Sequence, residues 1–391
     1  MNHKISVSFA IALAALASAV TYILTLSFTQ SRFNAQVTEV DRLAEKYQRL
    51  DELDAMISKE YYTDVPEDAV TEGMLAGYVR GLGDPYSVYR SDTEMSRYED
   101  SNTGVYTGIG ITVVKNSAGE AEIAAVTEGS PAEKAGLKPG DAVVEVEGIS
   151  VTDQYAEALA KISGEIGTSV SLRVRQAEGG RIVPCSVMRA QIDETCVYSE
   201  MLEHHIGYIR ITAFRSVTVT QFSTALHDLR TAGAEGFIFD VRDNGGGLLS
   251  ALEKMVDPIL PEGELAFSYD RTGEATAILI SDAEALEMPY TVLVNGNTAS
   301  AAELFACLLR DYAGAKLVGE KTFGKGIMQT TFQLASGGLT LTTATYSTGK
   351  TPCYHQIGLE PDVLSVPEES AETDTQLRAA QDTVQAMIVA K

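Results

Sequence analysis

Between residues 191 and 319, short runs rich in β-branched residues alternate with stretches whose apolar residues recur at helical spacing. That alternation leaves little choice but an α/β core. The strand-like runs are 206–211, 236–242, 290–295 and 317–319; the helix-like stretches are 219–232, 248–260 and 301–312. A late strand is expected at 340–346, and a closing helix within the final segment 368–391.

Two of these handovers carry chemistry. Tyr290 to Asn295 reads as a buried strand, Gly296-Asn297 breaks it, and Leu304, Phe305, Leu308 and Leu309 mark one face of the helix that follows. Ser300 therefore sits where strand gives way to helix, close to amides and a dipole that favour an oxyanion. The spacing Ser300-x-x-Glu303 is equally that of a capping box, in which the serine only closes the helix start. The second segment runs Gly319-Glu320-Lys321-Thr322-Phe323-Gly324-Lys325-Gly326, with Gln329 beyond it. A lysine in water is protonated and no base; one packed between glycines and desolvated can accept a proton. Ser300 and Lys325 are 25 residues apart.

Motif type, order and spacing together resemble the carboxyl-terminal processing proteases, also called tail-specific proteases. The resemblance implies a serine endopeptidase in which Ser300 is the nucleophile, Lys325 the general base and Gln329 the residue that orients it. A third segment, Asp240-Val241-Arg242-Asp243-Asn244-Gly245-Gly246-Gly247, matches the family's loop before a helix. By that match the amides of Gly246 and Ala301 form the oxyanion hole. Gly245 stands where the family has proline, which leaves the resting shape of this loop open. The turn Gly83-Asp84-Pro85-Tyr86-Ser87 and the closing Gly358-Leu359-Glu360-Pro361-Asp362 also match. The turn is given no chemistry, and Thr351 to Gln356 is shorter than the family segment.

Residues 103–190 resemble a PDZ domain on the strength of Gly108-Ile109-Gly110-Ile111 and of Ser130-Pro131-Ala132-Glu133-Lys134-Ala135-Gly136-Leu137-Lys138-Pro139-Gly140-Asp141. The first would be a carboxylate-binding loop, onto which a peptide tail adds as an extra strand. Ile109 and Ile111 would line the pocket for the last side chain.

Residues 5–28 carry no charge and are long enough for a bilayer span. An uncleaved signal anchor is favoured, because apolar character continues past the Ala17-Ser18-Ala19 site at which a signal peptide would be cut. Lys4 gives weak orientation support. Either way the body lies outside the cytoplasm. Apolar residues at Val37, Val40, Leu43, Tyr47, Leu50, Leu53 and Ile57 form a helical stripe that could pack on the body or on a second copy; the family resemblance points to a homodimer. A net charge of −24 argues against nucleic acid as a direct partner. The four cysteines form no CxxC pair, no metal motif occurs, and no cofactor is expected; free thiols are the simpler reading.

The sequence thus reads as an anchor (1–30), an N-terminal helical region (31–102), an inserted PDZ β-module (103–190), an α/β (α+β) protease core (191–366) and a C-terminal segment (367–391). Its expected partners are protein or peptide C-termini and, through the N-terminal helix, a membrane. A catalytically silent tail-binding scaffold and a Ser-Lys amidase or esterase are the rival readings.

Overall fold

The structure, a computed structural model, describes residues 7–282, 285–368 and 373–390. Lys4 and the head of the uncharged run lie outside the described residues, as do the side chains of Val37 and Val40 and parts of the final segment. The chain divides into two compact units, Met1–Leu75 and Ala76–Lys391.

The first unit is dominated by one helix, α1 (Val7–Glu60), and holds the start of α2 (Glu67–Arg80). Within α1, Ile11–Gln30 has a mean hydropathy of 2.0 and none of it is buried. At 1.5 Å per residue this stretch spans about 30 Å, the thickness of a bilayer's hydrocarbon core.

In the second unit a short strand, β1 (Val88–Arg90), leads into α3 (Asp92–Thr103). A Ser91/Glu94 capping box starts α3, and Gly104 ends it in the left-handed region. Then β2 (Val105–Gly108) opens a β-rich insertion: β3 (Ile111–Lys115), β4 (Ala121–Val126), α4 (Pro131–Lys134), β5 (Ala142–Val146), β6 (Ile149–Ser150), α5 (Tyr155–Ala160), β7 (Ser169–Arg175) and β8 (Ile182–Met188). Its strands run in the order β3-β4-β5-β7-β8, with β6 on β5, around a core that includes Ile123, Val143, Val170 and Leu172. β9 (Ala190–Asp193) closes the insertion by pairing antiparallel with β2, Val105 facing Asp193 and Gly108 facing Ala190.

The remainder is the α/β core: β10 (Val197–Leu202), β11 (Ile206–Ile211), α6 (Ser216–Thr231), β12 (Gly236–Asp240), α7 (Leu249–Val256), β13 (Gly263–Asp270), β14 (Ala275–Ser281), β15 (Tyr290–Val294), α8 (Ala301–Ala313), β16 (Lys316–Gly319), β17 (Ile327–Gln333), β18 (Gly338–Thr348), β19 (Val363–Leu364) and α9 (Thr375–Val389). The main sheet runs β10-β11-β12-β15-β16-β19 and is parallel from β11 onward. Its central strands are buried on both faces, which is why they read as continuous apolar runs. Phe237, Phe239, Val292 and Val294 point into one core with Phe222, Phe305 and Leu308; Ile238, Leu293 and Val318 point the other way, onto Ala380 and Val384 of α9. Phe239 and Phe305 meet edge to face at 5.5 Å, and each such buried ring contributes about 1.5–3 kcal/mol.

A second, antiparallel sheet, β1-β18-β13-β14 with β17 on β18, was not expected as such. Only β18 was anticipated, and it is longer at both ends. The β13–β14 hairpin lies within the connection from β12 to β15, after α7, and its alternation of exposed and buried residues is too irregular to announce it: two register shifts interrupt the pairing. All four cysteines are free; Cys196 and Cys307 are buried, Cys185 and Cys353 half-buried.

Candidate functional site

Parallel pairing puts the carboxyl ends of β12, β15 and β16 side by side, with Asp240 beside Leu293 and Val294 beside Gly319. The loops that leave those ends therefore converge, as they do at ligand sites of open α/β sheets. The first carries Gly245 to Gly247, the second Ser300 and the third Lys325. They enclose a cleft of about 390 Å³ lined by Gly245, Gly247, Ser300, Ala301, Lys325 and Gln329 on its polar side. Leu248, Leu249, Ile278, Leu304, Ile327 and Met328 supply the apolar side.

Ser300 occupies φ 57°, ψ −121°, an arrangement that is rare for a residue with a side chain. Its N–H donates to Glu303 Oε2 (2.9 Å), but its hydroxyl makes no capping hydrogen bond. The Ser300 oxygen is thus not spent on the cap; it lies within hydrogen-bonding reach of the Tyr346 hydroxyl. The buried Glu303 does more than cap. Its Oε1 accepts the Thr322 hydroxyl (2.5 Å) and the Gly324 N–H (2.8 Å), and its Oε2 accepts the Lys325 N–H (2.8 Å). One carboxylate therefore ties the lysine turn to the serine turn, a role that the x-x-Glu spacing alone could not reveal.

The glycines around Lys325 are required by close approach. A Cβ on Gly326 would stand 2.8 Å from the His355 nitrogen and 3.0 Å from Cys353 Sγ. The turn is further pinned by Tyr346, whose hydroxyl donates to the Lys325 carbonyl at 2.6 Å. Burial drives the Lys325 amine below its ordinary pKa, against the opposing pull of Asp84 and Glu303. Its Nζ stands over the Tyr86 ring, 4.4 Å from the centroid. Among the described residues no hydrogen bond joins it to Ser300. The turn at residues 83–87, given no chemistry from sequence, thus belongs to the site's surroundings.

Two other expected site residues rest in other contacts. Gln329 lines the cleft, yet its Nε2 donates to Thr342 Oγ1 (3.0 Å), not to a group that would orient Lys325. A register shift between Met328 and Gln329 sets this direction. The Ala301 N–H, at the first position of α8, takes no partner among the described residues. The Gly246 N–H does: it donates to Asn244 Oδ1 at 2.8 Å, while Asn244 Nδ2 holds the Ile211 carbonyl. The neighbouring Gly247 N–H has no hydrogen bond among the described residues and borders the cleft.

In the insertion, the carbonyls of Ile109 and Gly110 accept hydrogen bonds from Ala132 (2.8 Å) and Thr127 (2.9 Å). The N–H groups of Ile109 and Gly110 stay unpaired among the described residues, as a carboxylate loop requires, and Gly108 precedes them at the end of β2. Ile111 is half-buried. Ile109, only 1 % exposed, packs in the module's own core.

The profile of peptidase family S41 matches residues 205–365, and a PDZ domain profile matches 122–176. Residues 14–94 match the N-terminal domain of the activating protease CtpB. The carboxy-terminal processing protease CtpA of Bacillus subtilis is 33 % identical over 359 residues, covering 88 % of this chain and 77 % of its own. The chain belongs to peptidase family S41. It is a carboxy-terminal processing serine peptidase of that family with a PDZ domain. The carboxyl-terminal-processing protease of Synechocystis is also 33 % identical, over 77 % of this chain and 74 % of its own. A putative S41 protease from Bacteroides fragilis shares the fold, with a TM-score of 0.52, 20 % identity, and coverage of 85 % of this chain and 97 % of that one.

Proposed function

We propose that this S41 peptidase is membrane-anchored and extracytoplasmic, and that it cuts near protein C-termini with a Ser300–Lys325 dyad while the PDZ module holds the tail. The observation that carries the dyad is the cleft itself. It holds a hydroxyl that is not spent on capping the helix, a desolvated amine and an unpaired helix-start amide.

In this reading Ser300 Oγ attacks the scissile carbonyl, and neutral Lys325 takes the hydroxyl proton. The tetrahedral intermediate collapses as Lys325 returns that proton to the leaving amine. Water then enters by the same route and frees the acyl group. Ala301 N–H receives the oxyanion, joined by Gly246 N–H once Asn244 releases it, or by Gly247 N–H. Gln329 would orient the lysine after exchanging its Thr342 partner. The apolar half of the cleft suits an apolar side chain at the cut. The resting position of Lys325 means that the amine must swing from Tyr86 toward Ser300 before chemistry.

The apolar window of α1 supports the anchor, and cleavage as a signal peptide is the alternative. Exposed Leu43, Tyr47 and Leu53 support a homodimer through that helix.

The test compares full-length protein in detergent with Ser300→Ala and Lys325→Ala on exported proteins with apolar tails. Ser300→Ala should abolish cleavage, and Lys325→Ala should slow it by about 10²–10⁴-fold. Cleavage by both variants at the wild-type rate would overturn the dyad. Tail binding without any cleavage by wild type would favour the silent scaffold, and ester turnover without protein cleavage the esterase.

A further inference from the structure

We infer that Tyr86 is a positioning residue that holds the Lys325 ammonium away from Ser300 and so sets the pH at which the site switches on. This rests on the Ser300–Lys325 reading of the cleft.

The geometry is specific. Nζ lies 4.4 Å from the Tyr86 ring centroid, and among the described residues it donates no hydrogen bond. The ring face is thus the partner in contact with the amine. A ring face attracts the ammonium and has little hold on a neutral amine. The Tyr86 hydroxyl makes no hydrogen bond among the described residues, so the ring carries the interaction.

The turn that presents this ring is tied to β18 by hydrogen bonds. Asp84 Oδ1 accepts the Tyr86 N–H (3.0 Å), and Asp84 Oδ2 accepts the Ser87 hydroxyl (2.6 Å). Ser87 Oγ in turn accepts the Thr342 N–H (3.1 Å), and Thr342 Oγ1 accepts Gln329 Nε2 (3.0 Å). A continuous hydrogen-bonded path therefore runs from the turn beneath the ring to Gln329, the residue expected to receive the amine.

The other groups around Lys325 are Asp84 on the same turn as Tyr86, Glu303 on α8 and Tyr346 on β18, while the backbone of His355 packs on the neighbouring Gly326. Asp84 and Glu303 favour the charged amine. Both are committed to hydrogen bonds that hold the turns, so replacing either would disturb the architecture. Tyr86 acts through its ring alone, which makes its contribution separable.

The experiment is the pH profile of kcat/KM and kcat for the full chain on one tail peptide. It compares wild type, Tyr86→Phe, Tyr86→Leu and a pentafluorinated phenyl ring at position 86, with Ser300→Ala as control. Tyr86→Phe should superimpose on wild type. Tyr86→Leu should move the acid limb of kcat/KM to lower pH by about 0.5–1.5 units, with KM little changed, because the ammonium loses its partner. The fluorinated ring keeps the shape and reverses the charge of the face, and should move the limb the same way even if Tyr86→Leu fails to fold. A limb that stays in place for the fluorinated ring, or a loss at all pH with no shift, overturns the proposal. Ser300→Ala cutting like wild type would instead overturn the underlying dyad.

Discussion

Neighbouring glycines in the loop after β12 face different demands. Gly246 adopts φ +101°, and a Cβ there would lie 2.8 Å from the Ala299 carbonyl and 2.9 Å from Ala301 N. Gly245 has open space around it and no left-handed backbone. Gly246→Ala should therefore abolish cleavage and lower Tm by several degrees, whereas Gly245→Ala should raise stability by about 0.4–1 kcal/mol through a stiffer unfolded chain. Thermal unfolding and peptide cleavage of the two variants check this. The sequence made Ser300, Ala301 and Lys325 legible because each is fixed by a local pattern: a strand, a break and a helix, or a glycine-flanked turn. It could not reveal that Asn244 Oδ1 takes the Gly246 amide, which depends on the path of a loop. Nor could it place Tyr86 against Lys325, a contact between segments far apart in the chain.

At the level of elements, α8 is both core and hinge pin. Leu304, Phe305, Leu308 and Leu309 bury its apolar face, and Glu303 in its first turn clamps the loop after β16. Glu303→Gln keeps the size but replaces one acceptor oxygen with a donor, so two of the four donors now satisfied would be left facing an NH₂ group. The expected cost is about 2–6 kcal/mol, since each buried donor left unpaired costs about 1–3 kcal/mol. A lower Tm together with a fall in kcat would mark the loop as unpinned; wild-type kcat at unchanged Tm would refute the clamp. Helical and strand periodicity announced α8, β11 and β16 almost to the residue. The β13–β14 hairpin escaped because its pairing contains irregularities that blur a period of two.

For the molecule as a whole, the desolvated lysine is a pH-dependent burden on the fold. Lys325 has a folded pKa below its ordinary 10.5, so between the two values the unfolded chain binds more protons than the native state. Stability due to this group therefore rises with pH across that window. The penalty is greatest below the folded value and vanishes above the ordinary one. Lys325→Met should accordingly be more stable than wild type near neutral pH, with the advantage shrinking as the pH approaches 10.5. Denaturant midpoints at pH 7 and pH 10 measure this, and an advantage that grows toward alkaline pH would reverse the sign argued here.

The antiparallel pairing of Val105–Gly108 with Ala190–Asp193 brings the entrance and exit of the inserted module next to each other. To the sheet that bears Ser300, everything threaded between those two points is equivalent to one short ribbon. An insert joined at such a neck can change in size and surface without rerouting the main chain, so module and core are free to vary one at a time.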